Sequence, residues 1–352
     1  MIEKTQKYGR KFLQYSKYLK NNTNHLLYKV FYIIILISLS ILISINNNND
    51  NELNLYLHKE IEKEVEKIEP YQGKFTLGDV KKDFEKIVNK YKYLIKTEKN
   101  ISEESPIWMM WYQGLKSAPP IILSFIQSLI QNREKHPVII ITKYNIDKYI
   151  KLPYYIMEKF KNKNFSLTHF SDIVRIALLF KYGGYWIDAT YFVNTPITKI
   201  DASFYTLKLD FCFIKGHPFL KCIWSINYMA YTKNSFIAAF AYYAFLLYWK
   251  KYSYLVNYVL IDYVWHIAYT NIPEFKNIFN KIPTVYCNIF LLNKKLKAEY
   301  NKTDICYFNK LSKGFRYQHN NNNSTNNTNS HYNYLIEHYK FDLKNINHNY
   351  IS

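Results

Sequence analysis

Apolar and polar positions follow three different rhythms along the chain. Residues 30–45 carry only apolar side chains, Tyr and Ser, and with 26–28 they make a run of 20 positions interrupted by Lys29 alone. A helix of that length crosses a hydrocarbon core of about 30 Å. Residues 51–100 are charged and helix-like: Leu57, Ile61, Val65 and Ile68 make one apolar stripe, and Phe84, Ile87, Tyr91 and Leu94 make another. At Pro106 the rhythm changes again. Residues 107–111 read as a strand, 119–131 as an amphipathic helix and 138–142 as a second buried strand, which is a βαβ unit and therefore predicts a parallel sheet. The apolar stretch 236–249 is too short to span a bilayer and is dotted with Tyr, so a buried helix is expected. Residues 320–330 contain only Asn, Ser and Thr, too little apolar surface to fold alone.

Charge orients the first of these segments. Lys4, Lys7, Arg10, Lys11, Lys17, Lys20 and Lys29 precede or enter the apolar run, whereas Asn46–Asn49, Asp50 and Glu52 follow it, so the positive-inside rule keeps the N-terminus cytosolic. No small-residue cleavage site follows the run, which argues against a removed signal peptide. Across 352 residues the formal charge is +20, with 49% hydrophobic residues, enough for a sizeable core and favourable to anionic partners. The lysines are scattered and form no nucleic-acid module, so nucleic acid is not an expected partner. Eight Gly and ten Pro exclude collagen-like and linker readings. Cys212, Cys222, Cys287 and Cys306 show no C-x-x-C spacing, which removes a zinc knuckle or thioredoxin-type site and leaves a disulfide open. Asn-x-Ser/Thr triplets stand at Asn100, Asn164 and Asn301 in an Asn-rich chain.

The stretch 166–194, SLTHFSDIVRIALLFKYGGYWIDATYFVN, carries the chemistry. Thr168 or Ser171 suits the cap of a helix whose Ile173, Ile176, Ala177 and Phe180 face the core, with Gly183 ending it in a left-handed conformation. Asp172 and Arg175 lie three apart on that helix, where a structural surface ion pair is one reading and a ligand-binding role the other. Tyr185, Trp186 and Ile187 then form a short strand that delivers Asp188 to its carboxyl end, the edge at which α/β sheets bind ligands. Asp188 suits either a hard ligand for Mg2+ or Mn2+ beside a diphosphate, or the start of a turn. Arg175 suits bidentate contact to phosphate or sugar, and Asp172 suits acceptance from sugar hydroxyls.

Together Asp172-x-x-Arg175, Gly183-Gly184 and Ile187-Asp188-Ala189-Thr190 resemble the glycosyltransferases with a DXD sugar-binding motif, nearest the capsular polysaccharide synthesis proteins beside the family 32 transferases. The likeness begins at Pro106-Ile107-Trp108, takes in Trp111-Tyr112-Gln113-Gly114 and Ala118-Pro119, and runs more weakly to Lys310-Leu311-Ser312. It implies an α/β fold of the GT-A type, a Rossmann-like nucleotide-diphospho-sugar transferase domain with additional helices. It also implies that Trp111 stacks on the nucleotide base, that Asp172 and Arg175 hold donor sugar and diphosphate, and that Asp188 with Thr190 organises Mn2+ or Mg2+. Asn309 and Ser312 would close a loop over the diphosphate. The usual motif has a second acid where this chain has Thr190, which weakens the expected metal site.

The expected organisation is a basic cytosolic tail (1–25), a transmembrane anchor (26–45), a charged helical stem (46–104), the transferase domain (105–318) and an Asn-rich tail (319–352). The expected activity is metal-assisted, retaining transfer from a nucleotide-diphosphate sugar to a glycan or glycolipid. Alternatives are a basic membrane protein that binds polyanions without catalysis and a degenerate transferase. A single-pass type II arrangement puts the domain in a secretory lumen in a eukaryote, whereas in a bacterium a membrane-associated cytosolic domain is expected. His169 and His266 read as structural, while Asp262, an acid among aromatics, needs a partner.

Overall fold

A computed structural model describes residues 49–210, 224–311 and 329–343. The anchor segment 26–45, the basic tail, Ser312, Cys212 and Cys222 lie outside these residues. Among the described residues no helix is long and apolar enough to cross a membrane. The chain divides into two compact units, Met1–Tyr56 and Leu57–Ser352, and everything below concerns the second.

Both apolar stripes of the expected stem face inward in this unit, with Ile68 at the end of the first only half-buried. Leu57, Ile61 and Val65 are buried, as are Phe84, Ile87, Tyr91 and Leu94. Helix α1 (Leu77–Val88) is started by a capping box in which Thr76 and Asp79 satisfy each other's backbone N–H.

The central sheet has the order β2-β1-β3-β7-β5, built from β1 (Ile107–Met110), β2 (Val138–Ile141), β3 (Gly184–Ile187), β5 (Phe204–Thr206) and β7 (Tyr228–Tyr231). Two small ladders accompany it: β4 (Tyr191–Val193) with β9 (Phe308–Lys310), and β6 (Lys208–Leu209) with β8 (Thr284–Val285). The expected βαβ unit is present, since β1 and β2 are parallel and joined through α2 (Pro120–Gln131). Strand β3 is also parallel to β1, whereas β7 runs antiparallel to β3 and β5 antiparallel to β7. The result is a mixed α/β fold with parallel strands at its centre, consistent with a Rossmann-like architecture.

Helix α3 (Leu167–Tyr182) packs against α4 (Phe236–Lys251). It begins earlier than Thr168 or Ser171 would have it: Ser166 holds the N-cap position, and its hydroxyl engages His169 Nδ1 at 2.9 Å. That bond, with His169 Nε2 near the Tyr258 carbonyl at 3.2 Å, accounts for His169 structurally. Helix α4 is the expected buried helix, with every residue from Phe236 to Trp249 inside. Against α1 lie α4 and α5 (Leu260–Asn271). Lys251 and the Tyr252 hydroxyl, at the end of α4, both reach Asp83 Oδ2 of α1 at 2.7 Å. Residues 331–338, within the expected tail, form α6 (His331–His338) and pack on α2 through Leu335. Cys287 and Cys306 form a disulfide, with Cα atoms 6.0 Å apart.

Candidate active site

Strand order places β1 between β2 and β3, so the connection out of β1 runs to one side and the next one crosses back to place β3 on the other. The gap beyond the carboxyl ends of β1 and β3 is therefore a topological switch point, where open α/β sheets form a ligand crevice. Trp111 follows the last residue of β1, and Asp188 follows the last residue of β3. The Trp111 backbone N–H donates to Ile141 at 2.9 Å, while its buried indole Nε1 has no hydrogen-bond partner among the described residues.

Asp188 serves the backbone and the site at once. Its N–H donates to Asn227 and its carbonyl accepts from Tyr191, each at 3.0 Å, which closes a turn into β4. The side chain is left to gather charged groups. Oδ1 accepts from Trp186 Nε1 at 2.8 Å and from Arg175 at 3.2 Å, and Oδ2 accepts from Lys310 Nζ at 3.1 Å. Lys310 Nζ also donates to Thr190 Oγ1.

Arg175 departs from the exposed pair that its spacing suggested. Its side chain is 3% exposed, and the same terminal nitrogen that meets Asp188 lies 3.4 Å from Asp172 Oδ1. Its other terminal nitrogen donates to the Ile226 carbonyl at 2.6 Å, and the guanidinium sits 4.9 Å from the centre of the Trp186 ring. A buried guanidinium with two carboxylates and a carbonyl is a fixed, preorganised cation. Burial alone would raise the Asp188 carboxyl, but Lys310 and Arg175, with the hydrogen bond from Trp186, outweigh it and hold Asp188 below the usual carboxylate range.

The structure thus brings Asp172, Arg175, Asp188 and Thr190 together, and it adds two residues that pattern reading did not assign to the site, Trp186 and Lys310. Trp186 is adjacent to the motif but looks like core. Lys310 is more than a hundred residues away and arrives through β9, where it sits in register with Tyr191. Its position within the Lys310-Leu311-Ser312 likeness was the one available signal.

A divalent cation does not fit this arrangement. Thr190 supplies no charge, and the Lys310 ammonium already contacts both expected ligands, Asp188 and Thr190. Among the described residues no group of three or more His, Cys, Asp or Glu side chains could hold a metal ion.

Two neighbouring features complete the surroundings. A cavity of about 700 Å³ is lined by Tyr205, Tyr228, Lys281, Tyr307 and Phe308, among others. Tyr228 meets Tyr191 edge-on at 6.1 Å, and the Tyr191 ring lies 5.4 Å from Lys310 Nζ, so the cavity wall and the charged cluster share an aromatic contact. Asp262 of α5 finds the partner it required in Trp224 Nε1, at 3.0 Å. Burial, reinforced by the Asp172 charge, pushes Asp262 up to about 7 against the opposing effects of Trp224 and Arg175.

The folded chain therefore keeps a proton on Asp262 between the ordinary carboxylate range and about pH 7, where the unfolded chain has released it. Its stabilising contribution is present at acid pH and is lost as pH rises through about 7. Asp262→Asn imitates the protonated form and keeps an oxygen for Trp224. Its melting temperature should match wild type near pH 4 and exceed it by several degrees near pH 8. Equal melting temperatures at both pH values would show that Asp262 is not held protonated.

No curated protein matches the chain. The family described as capsular polysaccharide synthesis protein matches residues 54–335, a span that takes in α1, the whole central sheet and the Asp172–Arg175–Asp188–Lys310 cluster. With most of its length so matched, this chain belongs to the capsular polysaccharide synthesis protein family.

Proposed function

We propose that the protein is a glycosyltransferase of the GT-A type, acting in polysaccharide or glycoconjugate synthesis. It transfers a sugar from a nucleotide-diphosphate donor to a hydroxyl of a glycan or glycolipid. The observation that carries this reading is the convergence of Asp172, Arg175, Asp188 and Lys310 beyond the carboxyl end of β3, at the switch point of the sheet. Membership of a polysaccharide-synthesis family supports the reaction class. The half-buried Trp111, whose indole N–H has no partner among the described residues, sits at the adjoining strand end and supports a nucleotide base there.

In the proposed reaction the bond from the anomeric carbon to the diphosphate breaks and a bond to the acceptor oxygen forms on the same face. The nucleoside diphosphate leaves with the bonding electron pair, and the acceptor proton passes to its phosphate oxygen. Fixed positive charge near the leaving group lowers the barrier by stabilising the charge that develops there. Arg175 acts as a positioning residue, because both terminal nitrogens are engaged within the protein. It holds Asp188 in place for the donor.

The chain is further proposed to be a single-pass type II membrane protein, with its domain in a secretory lumen. The Cys287–Cys306 disulfide supports an oxidising compartment for the domain.

Asp188→Asn tests the transferase reading. The amide keeps an oxygen for Trp186 and Arg175 but loses the charge that orients Lys310. Turnover of the preferred nucleotide sugar should fall about a hundredfold or more in a variant that still folds, at a melting temperature lowered by the loss of the ion pairs with Arg175 and Lys310. Full activity in this variant removes Asp188 from the reaction.

A further inference from the structure

We infer that Lys310 is the resident cation of this site, supplying from the chain itself the positive charge that faces the donor diphosphate in place of a divalent metal. The inference rests on the transferase reading and identifies how that site recognises its substrate.

Three observations carry it. The first is charge balance. Two carboxylates, Asp172 and Asp188, are matched within the cluster by two cations, Arg175 and Lys310, at 3.1–3.4 Å. Affinity for a divalent ion grows with the uncompensated negative charge of its oxygen ligands, and here that charge is already neutralised. The second is position. The Lys310 ammonium contacts Asp188 Oδ2 and Thr190 Oγ1, the two side chains at the DXD acid positions. Thr190 is a neutral hydroxyl suited to accepting from an ammonium, whereas an acid there would have left a net negative site.

The third is rigidity. Lys310 is paired with Tyr191 in the β4–β9 ladder, its N–H donates to Ile289 at 2.7 Å, and the next N–H, of Leu311, donates to the Thr190 carbonyl at 3.0 Å. The strand carrying the ammonium is thus tied by its backbone to the turn carrying Asp188 and Thr190. Its side chain is 12% exposed, with the Nζ 5.4 Å from the Tyr191 ring centre. A cation so placed needs no recruitment from solution, and it is screened from water in the way that makes a charge-assisted contact to phosphate effective.

Binding of uridine, guanosine, cytidine and adenosine diphosphates to the full chain, measured by titration calorimetry in EDTA and again in Mn2+, tests the inference. At least one diphosphate should bind in EDTA with an affinity that Mn2+ changes less than about threefold. Lys310→Met should weaken that binding about tenfold to a hundredfold, while Lys310→Arg should retain most of it. Binding that appears only with Mn2+ would overturn the role of Lys310 and leave the transferase reading standing. So would a folded Lys310→Met variant that binds as wild type does. The metal comparison is made on wild type and does not depend on how the variants fold. Absence of binding by every diphosphate under both conditions would overturn the transferase reading itself.

Discussion

Arg175→Ala is expected to lower the unfolding free energy by about 3–5 kcal/mol, the range for removing one partner from a buried ion pair. The guanidinium is 3% exposed and is the shared counter-ion of Asp172 and Asp188, so its loss takes a buried positive charge from beside both carboxylates. The Ile226 carbonyl would lose its 2.6 Å donor as well. Arg175→Met should fare little better, because it restores packing over Trp186 without restoring charge. Arg175→Lys should fall between them, since an ammonium carries the charge but not the planar fork that serves a carbonyl and two carboxylates at once. Urea denaturation followed by tryptophan fluorescence reads these differences. The gap between wild type and Arg175→Ala should narrow on acidification. Asp188 is held below the ordinary carboxylate range in the folded state, so the stability it contributes is present above that range and is lost as pH falls through its lowered value. A loss under about 1 kcal/mol at neutral pH would mean that the cluster is solvated rather than desolvated and preorganised.

Gly184→Ala is expected to cost roughly 3–5 kcal/mol, from a strained backbone and a main-chain collision together. Gly184 has φ +95°, and a Cβ there would lie 2.2 Å from the Pro106 carbonyl oxygen, the atom that accepts from Tyr185 N–H at 2.8 Å. Relief would require β3 to withdraw from the start of β1, breaking the pairing of Ile107 with Tyr185 and of Trp108 with Trp186. Because β3 carries Asp188, donor turnover should be lost together with stability. Thermal unfolding and a turnover assay on the same preparation check both effects. A melting temperature within a degree or two of wild type would show that the strand end accommodates a side chain. Gly183 is similarly confined, with φ +69° and a virtual Cβ 2.5 Å from the Lys233 amide nitrogen. The double glycine thus lets a helix end and a strand begin without an intervening loop. Gly183 itself, with ψ −160°, is not the left-handed helical cap that its position after α3 suggested.

Local pattern was a good guide wherever an element's own residues decided its fate. The strands at 107 and 138, the helix between them and the buried helix at 236 follow from apolar runs bounded by Pro, Asn or Lys, and each appears with its ends shifted by a residue or two. The helix carrying Asp172 and Arg175 was equally legible, although its start was set by Ser166 rather than by Thr168 or Ser171. Burial of Arg175 was not legible. An i,i+3 pair looks alike on an exposed and on a buried face, and what covers this one is Ile226 and Trp186, contributed by other parts of the chain. Lys310 escaped for the same reason, since a lysine at the end of the short strand Phe308–Lys310 reads as solvated until β9 is paired with β4.

The chain's linear order therefore determined the α/β class, the anchor-like run at its start and the family likeness centred on residues 172–190, because helix and strand periodicity, hydrophobic length and motif spacing are properties of neighbours in sequence. Tertiary structure alone decided which cations meet Asp188. Arg175 comes from the preceding helix, Lys310 comes from a strand more than a hundred residues later, and a hydrogen-bonded ladder sets the distance between them. Electrostatic contacts act over a few ångströms of space without regard to sequence separation, so the charge state of the site became readable only once the sheet had brought those side chains together.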